Sequence, residues 1–195
     1  MNENDMKASS NLLFVALALC AVSVCAEPAA RVGASYYYIE GTSALVLTAQ
    51  MNNKGPAGPD GRNHPSLTKW DVQWRFRHNM LGGVCQMEKI SVMVGVTSIR
   101  PRWRDEKEGA EALRKRWSAL LKAVDRNEAF HKEQALDAGR KIEAALENLV
   151  PAKDCEALTI AANEAAIAIL EKHKAASRDH NERTDYGRKN GVSLI

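Results

Sequence analysis

The chain has 195 residues, of which 45% are apolar and 26% charged, and its net charge is +3. That length and apolar content suit one domain with its own core. The charge is mild, and no dense Lys/Arg block with interleaved aromatics is present, which excludes a nucleic-acid-binding protein.

Leu12 to Ala21 is an apolar run too short to span a bilayer, and Val24-Cys25-Ala26 behind it is a small-residue cleavage pattern. Residues 1–26 therefore read as a secretory signal peptide and 27–195 as a single domain, with no membrane span once the signal is removed. Glu3 and Asp5 are unusual ahead of such a run, and Met6-Lys7-Ala8-Ser9-Ser10 would be a more orthodox start. Neither Cys20 nor Cys25 follows the small residue a lipoprotein signal wants, so a soluble periplasmic or secreted protein is expected. Export leaves Cys85 and Cys155, and in an oxidising compartment an even pair is most simply a disulfide.

Ser35 to Glu40 is aromatic and β-branched and reads as a strand. Gly41-Thr42-Ser43 caps a short helix that Gly55-Pro56 stops. Asn52 to Pro65 is a Gly/Pro/Asn/Asp loop. Trp70, Val72, Trp74 and Phe76 then alternate with charged and polar residues, the clearest strand in the chain. Asn79 to Gly83 is a turn, and Ile90, Val92, Val94 and Val96 continue an antiparallel partner strand to about Ile99, ended by Pro101. A long helix spans about Glu108 to Leu149, with Gly139 as a weak point. Its buried stripe is Leu113, Trp117, Leu120, Leu121, Val124, Ala138, Ile142, Ala145 and Leu149. Asp154 caps a last helix from Cys155 to about Ala176, and a polar tail runs from Arg178 to Ile195. Strand, helix, hairpin and two long helices make an α+β domain.

Asn127 and His131 fall on the long helix's buried stripe, four residues apart and on one face. Glu128 follows Asn127. A histidine at 127 would complete H-E-x-x-H, in which two imidazoles hold zinc and the glutamate acts as base.

Several features together resemble a bacterial domain-of-unknown-function family described as predicted secreted zinc-dependent proteases. They are Tyr37-Tyr38 with Gly41, Gly55-Pro56, Gly61-Arg62, Thr68-x-Trp70-x-x-x-Trp74, Cys85, Pro101-x-Trp103, Trp117, Glu128-x-x-His131, Cys155 and Thr184-x-x-Gly187. The resemblance implies a zinc cofactor held by H-E-x-x-H and by a histidine in a C-terminal T-x-H-G. Carried over, Glu128 is the general base and His131 a ligand, while Asn127 and Tyr186 occupy the other two ligand positions. Asn181 stands where the family tends to have aspartate.

A neutral amide is a poor zinc donor, and a phenol binds well only after losing a proton with a reference pKa of about 10. Zinc hydrolases need roughly three protein donors and a water. The expectation is a degenerate site, with zinc absent or weakly bound and a noncatalytic role in binding a peptide or envelope component. The rival is a zinc metallopeptidase that keeps Glu128 and His131 and recruits His180, Asp179 or Asp185. Read without a metal, His131 is a core histidine bonded to Asn127 or Tyr186. His64, His78 and His173 have no ligand-like spacing, and Trp70 and Trp74 anchor the hairpin. Arg100-Pro101-Arg102-Trp103-Arg104 is a strand exit with solvated arginines, or a contact for an anionic partner.

Overall fold

A computed structural model describes residues 28–195, so the stretch read as a signal peptide lies outside the described residues. Strands β1 (Ala29–Ile39), β2 (Leu67–Leu81) and β3 (Val84–Trp103) form one sheet in the order β1-β3-β2. β2 and β3 are the expected antiparallel hairpin, and β1 runs parallel to β3 on its other side. Helix α1 (Ala44–Lys54) follows β1, while α2 (Glu111–Glu147) and α3 (Cys155–Thr184) follow the sheet, giving the expected α+β class. None of the helices among the described residues is long and apolar enough to cross a membrane.

Local chemistry sets most element ends. Ser43 Oγ accepts from the Val46 amide at 3.3 Å and Asp154 Oδ1 from Ala157 at 2.8 Å, so each supplies the side-chain acceptor a helix start lacks. The sequence reading is corrected at several points, and β1 begins at Ala29 rather than at Ser35. The hairpin turn is only Gly82-Gly83, both at positive φ, and the ladder through Asn79 and Met80 outweighs their turn preference. Pro101 does not end β3, which runs to Trp103. β2 pairs only as far as Leu67 opposite Ile99, so beyond that point β3 has no ladder on the β2 side for a proline to break.

Gly139 does not interrupt α2, and it lets the sheet approach, since a Cβ there would lie 2.4 Å from Val94 Cγ2. Finally, α3 continues past Ala176 to Thr184, because nothing between Ser177 and Arg183 breaks a helix. The tail is not uniformly polar either. Val192 and Leu194 are buried, and the Leu194 carbonyl accepts from the Arg116 guanidinium.

Two apolar clusters result. One joins Ile39, Leu47, Met51, Trp103, Trp117, Leu120 and Val124, with Val192 and Leu194 closing it. The other packs Val72, Val92, Val94 and Val96 against Ala135, Ala138 and Ile142 of α2 and Ala162 and Ala166 of α3. Trp70, Trp74 and Phe76 pack against the second cluster, as hairpin anchors should, and Trp74 Nε1 donates to Asn163 Oδ1 at 3.0 Å. Cys85 and Cys155 form the expected disulfide, joining the hairpin tip to the start of α3. Helix α2 belongs to both clusters, and its stretch from Asn127 to His131 lies between them.

Candidate functional site

Asn127, Glu128 and His131 are all buried, with Glu128 2% and His131 4% exposed. Buried polar groups are tolerated only when bonded, and the Glu128 carboxylate is well supplied. Ser66 Oγ donates to its Oε1 and Thr68 Oγ1 to its Oε2, both at 2.6 Å, and Asn127 Nδ2 donates to Oε1 at 3.3 Å. A hydroxyl has one proton, so Thr68, having given its own to Glu128, accepts from Ser98 Oγ at 2.8 Å. Ser98 is the residue opposite Thr68 in the β2–β3 ladder. The proton-donor chain thus runs Ser98 to Thr68 to Glu128, from the central strand to the helix.

The extension of α3 brings His180 to this place. Its Nε2–H donates to Asn127 Oδ1 at 3.1 Å, its ring stacks on Phe130 at 3.9 Å, and it meets His131 edge-on at 5.4 Å. Asn127 therefore links Glu128 to His180. His131 is bonded neither to Asn127 nor to Tyr186; it faces Asn181, and burial pushes its pKa down against the pull of the Glu128 charge and the Asn181 side chain. Burial and the neighbouring His131 likewise push His180 down.

At the end of α3 three successive residues, Asp185, Tyr186 and Gly187, take left-handed backbone at φ 48°, 52° and 82°. The Gly187 amide donates to Thr184 Oγ1 at 3.0 Å, which helps hold the turn. It carries Tyr186 onto the His64 ring, stacked at 3.6 Å, and leaves Asp185 3.6 Å from the Arg62 guanidinium. His64 Nε2–H donates to Asp60 Oδ1 at 2.9 Å, and this bond together with Arg62 holds the Asp60 carboxyl well below the usual carboxylate range. Of the residues considered as substitute ligands, His180 is brought beside His131, Asp185 is turned to Arg62, and Asp179 is exposed.

Gly187 is required twice over, by its φ and because a Cβ would meet Val192 Cγ2 at 2.7 Å and the Asn127 carboxamide at 3.0 Å. Gly187→Ala is expected to cost about 1–2 kcal/mol for the left-handed conformation alone, read as a lower thermal midpoint. An unchanged midpoint would mean that the turn is not rigid.

The donor set does not match zinc as arranged. Zinc wants three or four nitrogen, sulfur or carboxylate donors, whereas an amide and a phenol stand at two of the positions to which the resemblance assigns ligands. Among the described residues, three or more His, Cys, Asp or Glu ligand atoms lie within 4.8 Å of one another only at His78, Cys85 and Cys155, where both sulfurs are spent in the disulfide.

The sequence did not assign Ser66 any role, and it named Thr68 and His64 without placing them beside Glu128 and Tyr186. Thr68 was legible: it continues the inward alternation of Trp70, Val72 and Trp74 one step back along β2. His64 has a local partner in Asp60, but Tyr186, which ties it to the end of α3, comes from the far end of the chain. A cleft of about 510 Å³ opens above His131, walled by Thr68 and Trp70 of β2, Gly58 of the loop, and Lys174, Arg178 and Asn181 of α3.

Fold and site together define an α+β protein whose longest helix turns Glu128 into a buried hydrogen-bond network and presents His131 to a cleft at the edge of a sheet. The chain belongs to the family described as bacterial protein of unknown function (DUF922), whose model matches residues 34–187, from within β1 to the left-handed turn. No curated protein and no solved structure matches it.

Proposed function

We propose that the protein is an exported, noncatalytic member of this family that works in the periplasm or outside the cell. In this reading it binds a peptide or another envelope component in the cleft above His131. The observation that carries it is the hydrogen-bonded closure of Asn127 and Glu128. A general base must reach the water it deprotonates, but Glu128 is buried and does not line the cleft, its carboxylate is turned to Ser66, Thr68 and Asn127, and the Asn127 carboxamide is occupied on both sides. The cleft supports a binding role: Lys69 and Arg178 line it, and among the described residues neither has a carboxylate oxygen within 4.0 Å. A ligand bearing carboxylates suits it.

A second reading, a zinc-dependent peptidase with Glu128 as base, rests on His180 lying beside His131. Metal analysis separates the two. The purified protein and His131→Ala are expected to contain no stoichiometric zinc, even after incubation with excess metal. About one zinc per chain, lost in His131→Ala, would overturn the degenerate-site reading and make peptide hydrolysis the next assay. Asn127→His combined with Tyr186→His is expected to raise zinc affinity by more than the roughly 10- to 100-fold that changes one layer out from a metal make.

A further inference from the structure

The two edges of the sheet differ. β2 carries Lys69, Asp71, Arg75 and Arg77 and a register shift at Arg77/His78, features that discourage pairing with another strand. β1 has eleven residues, one charge, no proline and an unbroken register with β3. Among the described residues it has no strand on its outer side, where α1 meets its last residues: Lys54 Nζ donates to the Tyr38 carbonyl at 3.5 Å, and the Glu40 amide just beyond donates to Gln50 Oε1 at 3.3 Å.

Its last part carries two cation–aromatic pairs. The Arg102 guanidinium lies 4.2 Å from the centre of the Tyr36 ring and that of Arg104 lies 5.0 Å from the Tyr38 ring. All four residues are exposed, the tyrosines by 46% and 44%. Arg100 nearby is paired with Asp125, but among the described residues neither Arg102 nor Arg104 has a carboxylate oxygen within 4.0 Å. An arginine stacked on a ring keeps its in-plane N–H groups free, and those groups fit a carboxylate.

We infer that the outer edge of β1 is a docking site for an extended acidic peptide, which adds a strand to the sheet and sets carboxylates two residues apart against Arg102 and Arg104. The spacing supports a strand over other anions. Tyr36 and Tyr38 are two residues apart, about 6.6–6.8 Å along a strand, which is also the repeat of same-side residues on any strand laid beside it. A second copy fits worse. In-register antiparallel pairing of two β1 strands would set Tyr36 and Tyr38 of one opposite Val32 and Ala30 of the other, which offer Arg102 and Arg104 no carboxylate. This edge lies on the opposite side of the sheet from the cleft, so the inference stands apart from the cleft's ligand.

The test is titration of the full-length protein with an eight-residue peptide alternating glutamate and valine, at low salt. Binding is expected to fall about 10-fold or more in Arg102→Gln/Arg104→Gln, with the far-UV spectrum unchanged. It is expected to fall similarly when alternate amides of the peptide are N-methylated, and to persist in Lys69→Ala/Arg178→Ala. The inference is overturned by any of four results: no binding, equal binding of the N-methylated peptide, loss only in Lys69→Ala/Arg178→Ala, or self-association through β1 in sedimentation.

Discussion

Glu128→Ala should lower the unfolding free energy by about 3–6 kcal/mol, from two hydrogen bonds to a charged group at roughly 1.5–3 kcal/mol each. The alanine removes the acceptor from Ser66 and Thr68, both buried, and leaves Asn127 Nδ2 without its partner. Glu128→Gln should cost less but still measurably, because the amide can accept from one hydroxyl while presenting N–H to the other. Thr68→Val should cost about 1.5–3 kcal/mol, since one bond to the carboxylate is lost and Ser98 loses its acceptor. Urea midpoints at constant m-value read all three.

The same measurement bears on function. A glutamate held ready for catalysis is commonly a site where stability has been given up for activity, so its removal leaves a protein as stable or more so. A glutamate that ties a helix to a sheet behaves in the opposite way. Midpoints unchanged or raised in Glu128→Ala would therefore remove the basis of the noncatalytic reading.

How much of this was legible in the sequence depended on range. The hairpin, both long helices and the buried face holding Asn127 and His131 follow from periodicity, which acts between residues close in sequence. The ends that went wrong were decided by neighbours far along the chain. Pro101 is tolerated in β3 because β2 has already ended, and Gly139 is set by the approach of Val94. The polar tail holds Val192 and Leu194, which only the distant Trp117 and Leu120 cluster could identify as core. At the site, the helix supplied its own three residues, and Cys85 with Cys155 could be paired by counting. The residues that define what Glu128 does, Ser66 and Thr68, lie some sixty positions away, and a loop histidine stacks on Tyr186. Sequence showed which side chains differ from the pattern the resemblance implies. It could not show that Asn127 bonds Glu128 and His180 or that Tyr186 stacks on His64.

Replacing both cysteines, Cys85→Ala with Cys155→Ala, should destabilise the protein by about 4 kcal/mol, the chain-entropy value for a bridge closing a loop of 70 residues. The bridge holds the hairpin against the α2–α3 connection, where the Cys85 and Ala152 backbones also exchange two hydrogen bonds at 2.8 and 2.9 Å. Those bonds remain available without the sulfur link, so the native arrangement should persist and the loss should come mainly from a freer unfolded chain. Local opening is expected first at the hairpin tip and the start of α3, read as lost amide protection over residues 78–87 and 150–155. The cleft should not follow. Cys155 and His180 are twenty-five residues apart on one helix, about 38 Å along its axis, and the network around Glu128 draws on β2, β3 and α2 near the other end of the sheet. A double variant that loses stability but keeps cleft binding would mean that the disulfide serves the stability of the fold rather than the site. If cleft binding were lost while the fold remained, α3 would have to transmit strain from its first turn to its last, and the closure around Asn127 would then depend on the helix being pinned at its far end.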